Sequence, residues 1–437
     1  MYITTDNQTI ADLGLFSNPS GSSIYELYNR THTRGGEAVL KELFLNPLSD
    51  LDEINRRSNL MAYFASYQPS FPFEGALFDM TEKYLAQTTE QPVTTQMMVL
   101  GEKEIQQGVT AVIALMQGIK AFIDNSKISS ASVFKKERDV ILGLVEDSVF
   151  QPALREKLKG KLSYSAIAAY DTLFRDQASK KIKQLLNCIY YLDVYLSIAA
   201  LAKERGFTFP KALEKGTAVL RLESVYHPEL KKPIANSIEM GADNNVIFLT
   251  GANMAGKSTF LRSVSTAVYI AHIGFPVAAK SMEFSVLDGI YTTINLPDNL
   301  GIGASHFYNE VLRVKKVATE LNRGKCLFVV FDELFRGTNV KDAEEGTVAV
   351  TGAFAGKSNS MFLISSHIVE AGEALKKRPS VLFQYLPTYM NGHFPEYTYT
   401  LESGITDDRH GMIIIRNEGI LETLKNGKKK RQTEYDQ

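Results

Sequence analysis

The chain has 437 residues, which at roughly 150 residues per domain implies two or three folding units and excludes a single small domain. Its 48 basic and 49 acidic residues exclude a globally basic nucleic-acid coat and an acidic tail protein, so any polyanion must meet a local patch. With 44% hydrophobic and 22% charged residues the chain can bury a real core; its two cysteines, Cys188 and Cys326, are far apart in apolar segments and offer neither a disulfide framework nor a CxxC pair, which fits a reducing cytoplasm.

The opening residues lack a basic end followed by an apolar stretch, and no uncharged apolar run reaches the roughly 18 residues of a membrane span, so neither signal peptide nor membrane contact is expected. From about Ile10 to Phe209 apolar residues recur at three- and four-residue spacing, the texture of packed helices. Val39, Leu40, Leu43 and Phe44 form one periodic segment, stopped by Asn46-Pro47. Ser49 is expected to cap the next helix, with Asp50, Asp52 and Glu53 in its first turn, where the helix dipole favours acids. Ala86 to Gln106 is rich in Thr and Gln and reads as a turn or exposed connection. Gln177 to Arg205 is the clearest helix: Leu185, Leu186, Ile189, Leu192, Leu196 and Ala199 mark one stripe before Gly206 and Pro210 end it.

After Pro210 short β-branched apolar runs alternate with helical stretches. Val246 to Thr250, Leu327 to Phe331 and Met361 to Ser365 read as strands buried on both faces of a mostly parallel sheet. The expected division is an all-α domain over 1–215 and an α/β domain over 216–437, the latter ending in a basic tail from Lys425 to Arg431.

Gly251-Ala252-Asn253-Met254-Ala255-Gly256-Lys257-Ser258, followed by Thr259, satisfies the phosphate-loop pattern G-x-x-x-x-G-K-[ST] directly after a strand and before a helix. Backbone N–H groups and the helix N-terminus form an anion nest, Lys257 offers a point charge to the β- and γ-phosphates of ATP, and Ser258 can place its hydroxyl on Mg2+. Leu327 to Phe331 then delivers Asp332 and Glu333 to the carboxyl end of the sheet, a Walker B arrangement in which Asp332 holds Mg2+ and Glu333 polarises the attacking water. His367 ends the strand that begins at Met361 and, if that strand lies beside the carboxylates, can touch the γ-phosphate.

These residues carry a family resemblance. TGANMAGKSTFLR, FDELFRGT and SSH resemble the ATPase domain of the MutS DNA mismatch-repair family, whose loop reads TGPNMGGKST and whose Walker B reads DE-x-GRGT. Val225-Tyr226-His227-Pro228-Glu229 is similar to the family's RHP entry to that domain, and Gly274-Phe275-Pro276-Val277-Ala278 to its G-x-x-VPA segment. Leu192-Asp193-Val194 with Ala199 and Ala202 resembles the helix leading into the ATPase domain, and Arg30-Thr31-His32-Thr33-Arg34-Gly35-Gly36 with Leu45-Asn46-Pro47 resembles the opening of the core domain. The resemblance runs from about Asp12 to Gly411 and implies an ABC-type P-loop ATPase domain preceded by an all-α core or lever domain.

It further implies a trans site, because Ser305, Phe307 and Glu310 match the family's STFMxE signature, which acts on nucleotide bound to the other subunit of a dimer. Asp407 to Gly411 is similar to a shortened form of the closing helix-turn-helix dimer element. Three departures stand out. Pro233 and Ile234 occupy the place of an aromatic that stacks on adenine, Ala252 and Ala255 replace a Pro and a Gly of the loop, and Phe335 replaces the Gly before Arg336-Gly337-Thr338.

No wedge domain with a Phe-x-Glu motif precedes Asp12, and 134–183 is too short and helical for a full DNA clamp, so mispair reading in the family's usual manner is not expected. Between Gln151 and Lys183, however, stand eight basic and three acidic residues. Arg155, Lys157, Lys159, Lys161, Lys180, Lys181 and Lys183 read either as phosphate contacts to DNA or as a solvated helix face. Two functions remain open on this reading: a DNA-binding mismatch-repair or recombination ATPase whose homodimer is gated by ATP, with a repair-protein partner, or an ATP-driven switch that grips a protein without touching DNA.

Overall fold

The computed structural model describes residues 1–16, 23–86, 100–295, 306–391, 394–406 and 415–424. The three apolar runs picked out above are strands of one sheet. In chain order the strands are β1 (Lys211–Leu213), β2 (Leu220–Val225), β3 (Asn236–Met240), β4 (Val246–Gly251), β5 (Ser281–Ser285), β6 (Gly289–Thr293), β7 (Leu327–Phe331), β8 (Met361–Ser365), β9 (Val381–Leu386), β10 (Thr388–Asn391), β11 (Phe394–Tyr397) and β12 (Glu402–Ser403). The principal sheet runs β12-β9-β4-β8-β7-β6, parallel throughout except for β12.

Every residue of β4, β6, β7 and β8 is buried, which is why β4, β7 and β8 read as near-continuous apolar runs rather than alternating. Phe248, Phe331, Phe354 and Phe362 anchor the core on one side, with Phe354 stacked on Phe362 at 4.6 Å. A second sheet, β1-β5-β2-β3, escapes sequence reading: its strands are short, β2 and β3 alternate buried with exposed residues, and the β2–β3 register shifts between Leu222 and Val225.

The chain separates into two units. One comprises Met1–Leu27, Asn46–Asn55 and Gly206–Gln437; the other comprises Tyr28–Leu45 and Arg56–Arg205. The division is thus discontinuous, where the sequence suggested a single cut at 215/216. The first residues are tied to the α/β unit by long-range backbone and side-chain bonds that local periodicity cannot reveal. Thr4 pairs in parallel with Gly289 at the edge of β6. The carboxylate of Asp12 accepts from the Thr292 hydroxyl at 2.8 Å and from the N–H groups of Ile294 and Asn295 at 2.9 Å. Asp6 pairs with Arg313 and Lys316.

Ser49 is not the cap expected of it. The Asp50 carboxylate accepts the Glu53 N–H at 3.0 Å, ahead of the helix Leu51–Tyr67, while the buried Ser49 hydroxyl donates to the Leu287 carbonyl at 2.6 Å. A carboxylate outcompetes a hydroxyl here because it also complements the helix dipole. Of the Thr- and Gln-rich connection, 87–99 lie outside the described residues, and Gln106 already belongs to the helix Glu102–Asp124.

The second unit is helical throughout its described residues, and its spine is the helix Ser179–Arg205. All six residues of the predicted stripe are buried. This helix has the length and apolarity of a membrane span, but 72% of its apolar window is buried inside the protein, the signature of a core helix. At its middle the fully buried Asp193 accepts hydrogen bonds from the N–H groups of His32 and Thr33 and from the Thr33 hydroxyl at 2.8 Å. A Cβ at Gly36 would collide with that carboxylate, so the Gly-Gly start of the helix Arg34–Leu45 is a requirement of close approach.

Candidate active site

β4 runs into a loop with left-handed backbone at Gly251 (φ +146°), Met254 (φ +70°) and Gly256 (φ +99°). Glycine adopts these angles without strain, whereas Met254 holds its conformation at an expense of about 1 kcal/mol or more. The helix Lys257–Ile273 follows, and no side chain caps its N-terminus. Its first-turn N–H groups therefore face the loop as anion donors. Lys257 is only 6% exposed and donates from Nζ to the carbonyls of Gly251 (2.7 Å) and Ala252 (3.2 Å). Burial pulls its pKa down, opposed by the charges of Glu333 and Asp332.

β8 lies between β4 and β7, so its end stands beside the carboxylates carried by β7. Ser258 donates its hydroxyl to one oxygen of Asp332, and Ser365 donates to the other. Ser365 also accepts the Glu333 N–H, at 3.1 Å through its carbonyl and 3.0 Å through its hydroxyl. Glu333 sits in left-handed backbone (φ +58°), a strained conformation that these bonds hold in place. Its carboxylate faces His367 Nδ1 at 3.3 Å and Arg336 at 3.5 Å. The bond to His367 is the chief reason its pKa lies below the ordinary carboxylate value; burial opposes, and the charges of His367, Lys257 and Arg336 reinforce.

A cleft of about 360 Å3 opens beside the loop. Ala255, Gly256 and Thr259 line one side, Ile234 and Leu230 another, and Tyr399 closes it. Ile234, singled out from sequence, is one of the residues that line this cleft. Tyr399 was not, and no linear signal marks it, because it reaches the loop from the far end of the chain. A Cβ at Gly256 would lie 3.0 Å from its ring. Tyr399 is itself left-handed (φ +55°), fixed by Asn236, which donates to the Tyr399 carbonyl at 2.9 Å and accepts the Leu401 N–H at 2.7 Å. His227, also in this cleft, is held neutral by burial and by the charge of Arg262, its pKa lowered to about 4.

Phe307 and Glu310 open the helix His306–Asn322 and meet the turn after Glu333: the Phe307 ring lies 5.8 Å from that of Phe335, and Glu310, 5% exposed, accepts the Gly337 N–H at 3.4 Å. Ser305 and 407–414 lie outside the described residues, as does the basic tail. In the helical unit Arg155, Lys157, Lys159, Lys161, Lys180 and Lys183 are exposed, while Lys181 is partly buried and paired with Asp147.

A mostly parallel sheet whose inner strand enters a helix through a left-handed glycine-rich loop, with carboxylates on a neighbouring strand end, defines an α/β protein built to receive an anionic ligand at its sheet's carboxyl edge. The family model for MutS domain V matches residues 247–433, and that for MutS domain III matches residues 8–199. The chain belongs to the MutS family. Relatives bearing the name DNA mismatch repair protein MutS include those of Brevibacillus brevis (32% identical over 245 residues), Persephonella marina (27% over 250) and Aquifex pyrophilus (26% over 262). These alignments cover 54%, 56% and 58% of this chain and 26%, 28% and 30% of the respective relatives, so the chain spans well under half of their length.

Proposed function

We propose that the chain is an ABC-type P-loop ATPase of the MutS family that binds DNA and couples ATP hydrolysis to closure of a homodimer. The observation that carries the ATPase reading is the Ser258–Asp332 bond, which joins a hydroxyl and a carboxylate from the loop and the Walker B strand. Two oxygens so placed suit a hard cation, and Ser258 and Asp332 would hold Mg2+. When bound, the ion neutralises charge on the β- and γ-phosphate oxygens.

Lys257 would exchange its two carbonyl partners for those phosphates, which relieves the desolvation of its ammonium. Glu333, kept ionised by His367, takes a proton from water as the water oxygen bonds the γ-phosphorus and the bond to the β–γ bridging oxygen breaks, leaving ADP and phosphate. His367 stands beside that carboxylate, where it can also donate to the γ-phosphate. The cleft between Ile234 and Tyr399 would take the adenine, with Tyr399 supplying the aromatic face that Ile234 lacks.

The resemblance assigns Ser305, Phe307 and Glu310 to the partner's nucleotide, which makes hydrolysis a property of two chains. The exposed basic residues between Arg155 and Lys183 give the helical unit a surface for phosphate, with sequence-independent, salt-sensitive DNA binding as the consequence. A cytoplasmic location and a repair-protein partner belong to the same proposal.

Two measurements test it. ATP turnover should vanish in Lys257→Ala and fall strongly in Glu333→Gln, and normal turnover in both would overturn the site. Binding to branched, mismatched and plain duplexes across a salt series, with and without ATP, tests the DNA reading. No binding to any duplex at low salt would reject it.

A further inference from the structure

The turn after Glu333 contains a residue whose type and conformation disagree. Phe335 is left-handed (φ +64°), an angle that strains any side chain with a Cβ and that the family's glycine at this place would adopt freely. Local energetics therefore favour glycine, and something must hold Phe335 there. Its ring, 6% exposed, joins the core of the principal sheet. On one side it meets Phe307 in the first turn of the helix His306–Asn322, edge to face at 63°. On the other it presses on Gly346 in the helix Val340–Ala355, where a Cβ would come within 3.0 Å of the ring. Gly346 is a poor helix former in mid-helix, and its missing side chain is the space the ring occupies.

We infer that Phe335 is a positioning residue for Glu333: its ring, wedged between Phe307 and Gly346, locks the strained turn Glu333–Gly337 to the start of the helix His306–Asn322. Two links join the same partners, the ring contact and the Glu310–Gly337 bond, so the helix start and the turn move as one body. Glu333, two residues before Phe335 and left-handed itself, receives its orientation from that body on one side and from Ser365 on the other. This inference rests on the ATPase reading, and it adds that the catalytic carboxylate is aimed by an aromatic wedge.

Phe335→Gly is the informative variant, because it removes the ring and the strain together. With the wedge acting as inferred, kcat at saturating ATP falls about tenfold or more while KM for ATP stays within about twofold, since small misplacements of a catalytic group weigh heavily on turnover. Phe335→Leu restores part of kcat. In thermal unfolding of the nucleotide-free protein, Phe307→Ala combined with Phe335→Gly shifts the midpoint by less than the sum of the two single variants, the behaviour of two groups forming one contact.

Hydrogen exchange on the nucleotide-free protein gives a readout independent of hydrolysis. Phe335→Gly should accelerate exchange at 333–338 and 306–312 together, with thermal unfolding checking that the fold survives. Wild-type kcat in Phe335→Gly, or exchange unchanged in both segments, overturns the wedge. Absence of turnover in the wild type, with ATP binding equal in wild type and Lys257→Ala, rejects the ATPase reading instead, and the exchange result then decides the mechanical link on its own.

Discussion

His367 Nδ1 lies 3.3 Å from Oε1 of Glu333, and this contact is the leading reason the Glu333 carboxyl titrates below its ordinary range. The sign of the pH effect follows. A carboxyl with a depressed pKa remains ionised at pH values where a free glutamate has begun to protonate, so on the proposed mechanism kcat/KM keeps its base below the ordinary glutamate range. In His367→Ala burial becomes the dominant influence and pushes the carboxyl upward. The acid limb of the kcat/KM profile should move to higher pH in that variant; a limb that stays in place would separate His367 from the protonation of Glu333.

Lys257 is buried on two backbone carbonyls, and its pKa is depressed by that burial. Its ammonium is therefore a site of cost in the nucleotide-free protein and of gain when phosphate arrives. Lys257→Met should lose ATP turnover by about a hundredfold or more, yet its nucleotide-free form should unfold at the same temperature as wild type or higher. Since the folded lysine releases its proton at lower pH than the unfolded one, wild-type stability rises with pH toward the lysine range relative to the variant. Calorimetry with and without nucleotide reads both effects.

The Asp6–Arg313 pair is largely buried, with side chains 15% and 10% exposed, and Lys316 completes it. Burial alone would raise the Asp6 pKa, but Arg313 and Lys316 hold it well below the usual carboxylate range. Truncating one partner strands the other, so Asp6→Ala should destabilise the α/β unit by about 3 kcal/mol, and Arg313→Met in the same chain should recover much of the loss. The wild type also owes stability to this carboxylate above its ordinary titration range and loses it as the pH falls through the depressed value. Denaturant midpoints of the single and double variants check the sign.

How much was legible follows from what each residue answers to. β4, β7 and β8 were readable because full burial makes a strand continuously apolar, and the loop was readable because phosphate chemistry fixes its glycines, lysine and hydroxyl within eight adjacent positions. The same local logic found the helix Ser179–Arg205. What depends on distant partners was not legible. Asp12 looks like any helix-end acid until its bonds to Thr292, Ile294 and Asn295 are seen, and Tyr399 acquires meaning only beside Gly256. Ser49 reads as the cap in sequence, but the adjacent Asp50 carboxylate takes that place. Phe335 stands out in sequence as a departure, but the space that admits it is at Gly346, on a different helix.

In the helical unit, Asp193 is fully buried and bonded to the backbone and side chains of His32 and Thr33, with Ser197 donating at 3.3 Å. Gly36→Ala would push a methyl group into this carboxylate. The expected destabilisation is about 1–3 kcal/mol, the range for overpacking a closed site. Asp193→Ala should be worse, because it leaves the buried Thr33 N–H and the part-buried His32 N–H without their acceptor. Unchanged unfolding midpoints in both would dissociate the pattern Thr33-Arg34-Gly35-Gly36 from the packing of this helix.

The proposed homodimer should be trapped by stopping the reaction after binding. On the proposed mechanism Lys257 and Ser258 receive the phosphates, whereas Glu333 acts only when water is activated, so Glu333→Ala should bind ATP and fail to cleave it. If nucleotide bound in one chain is completed by Ser305, Phe307 and Glu310 of a second, the uncleaved ATP holds the two together, and the equilibrium moves by the differential affinity of ATP for the closed pair. Sedimentation of Glu333→Ala should give a dimer with ATP and a smaller dimer fraction with ADP, and adding Lys257→Ala to the same chain should abolish the ATP effect. A monomer under saturating ATP would remove the second chain from the reaction and leave the Ser258–Asp332 site to work within one polypeptide.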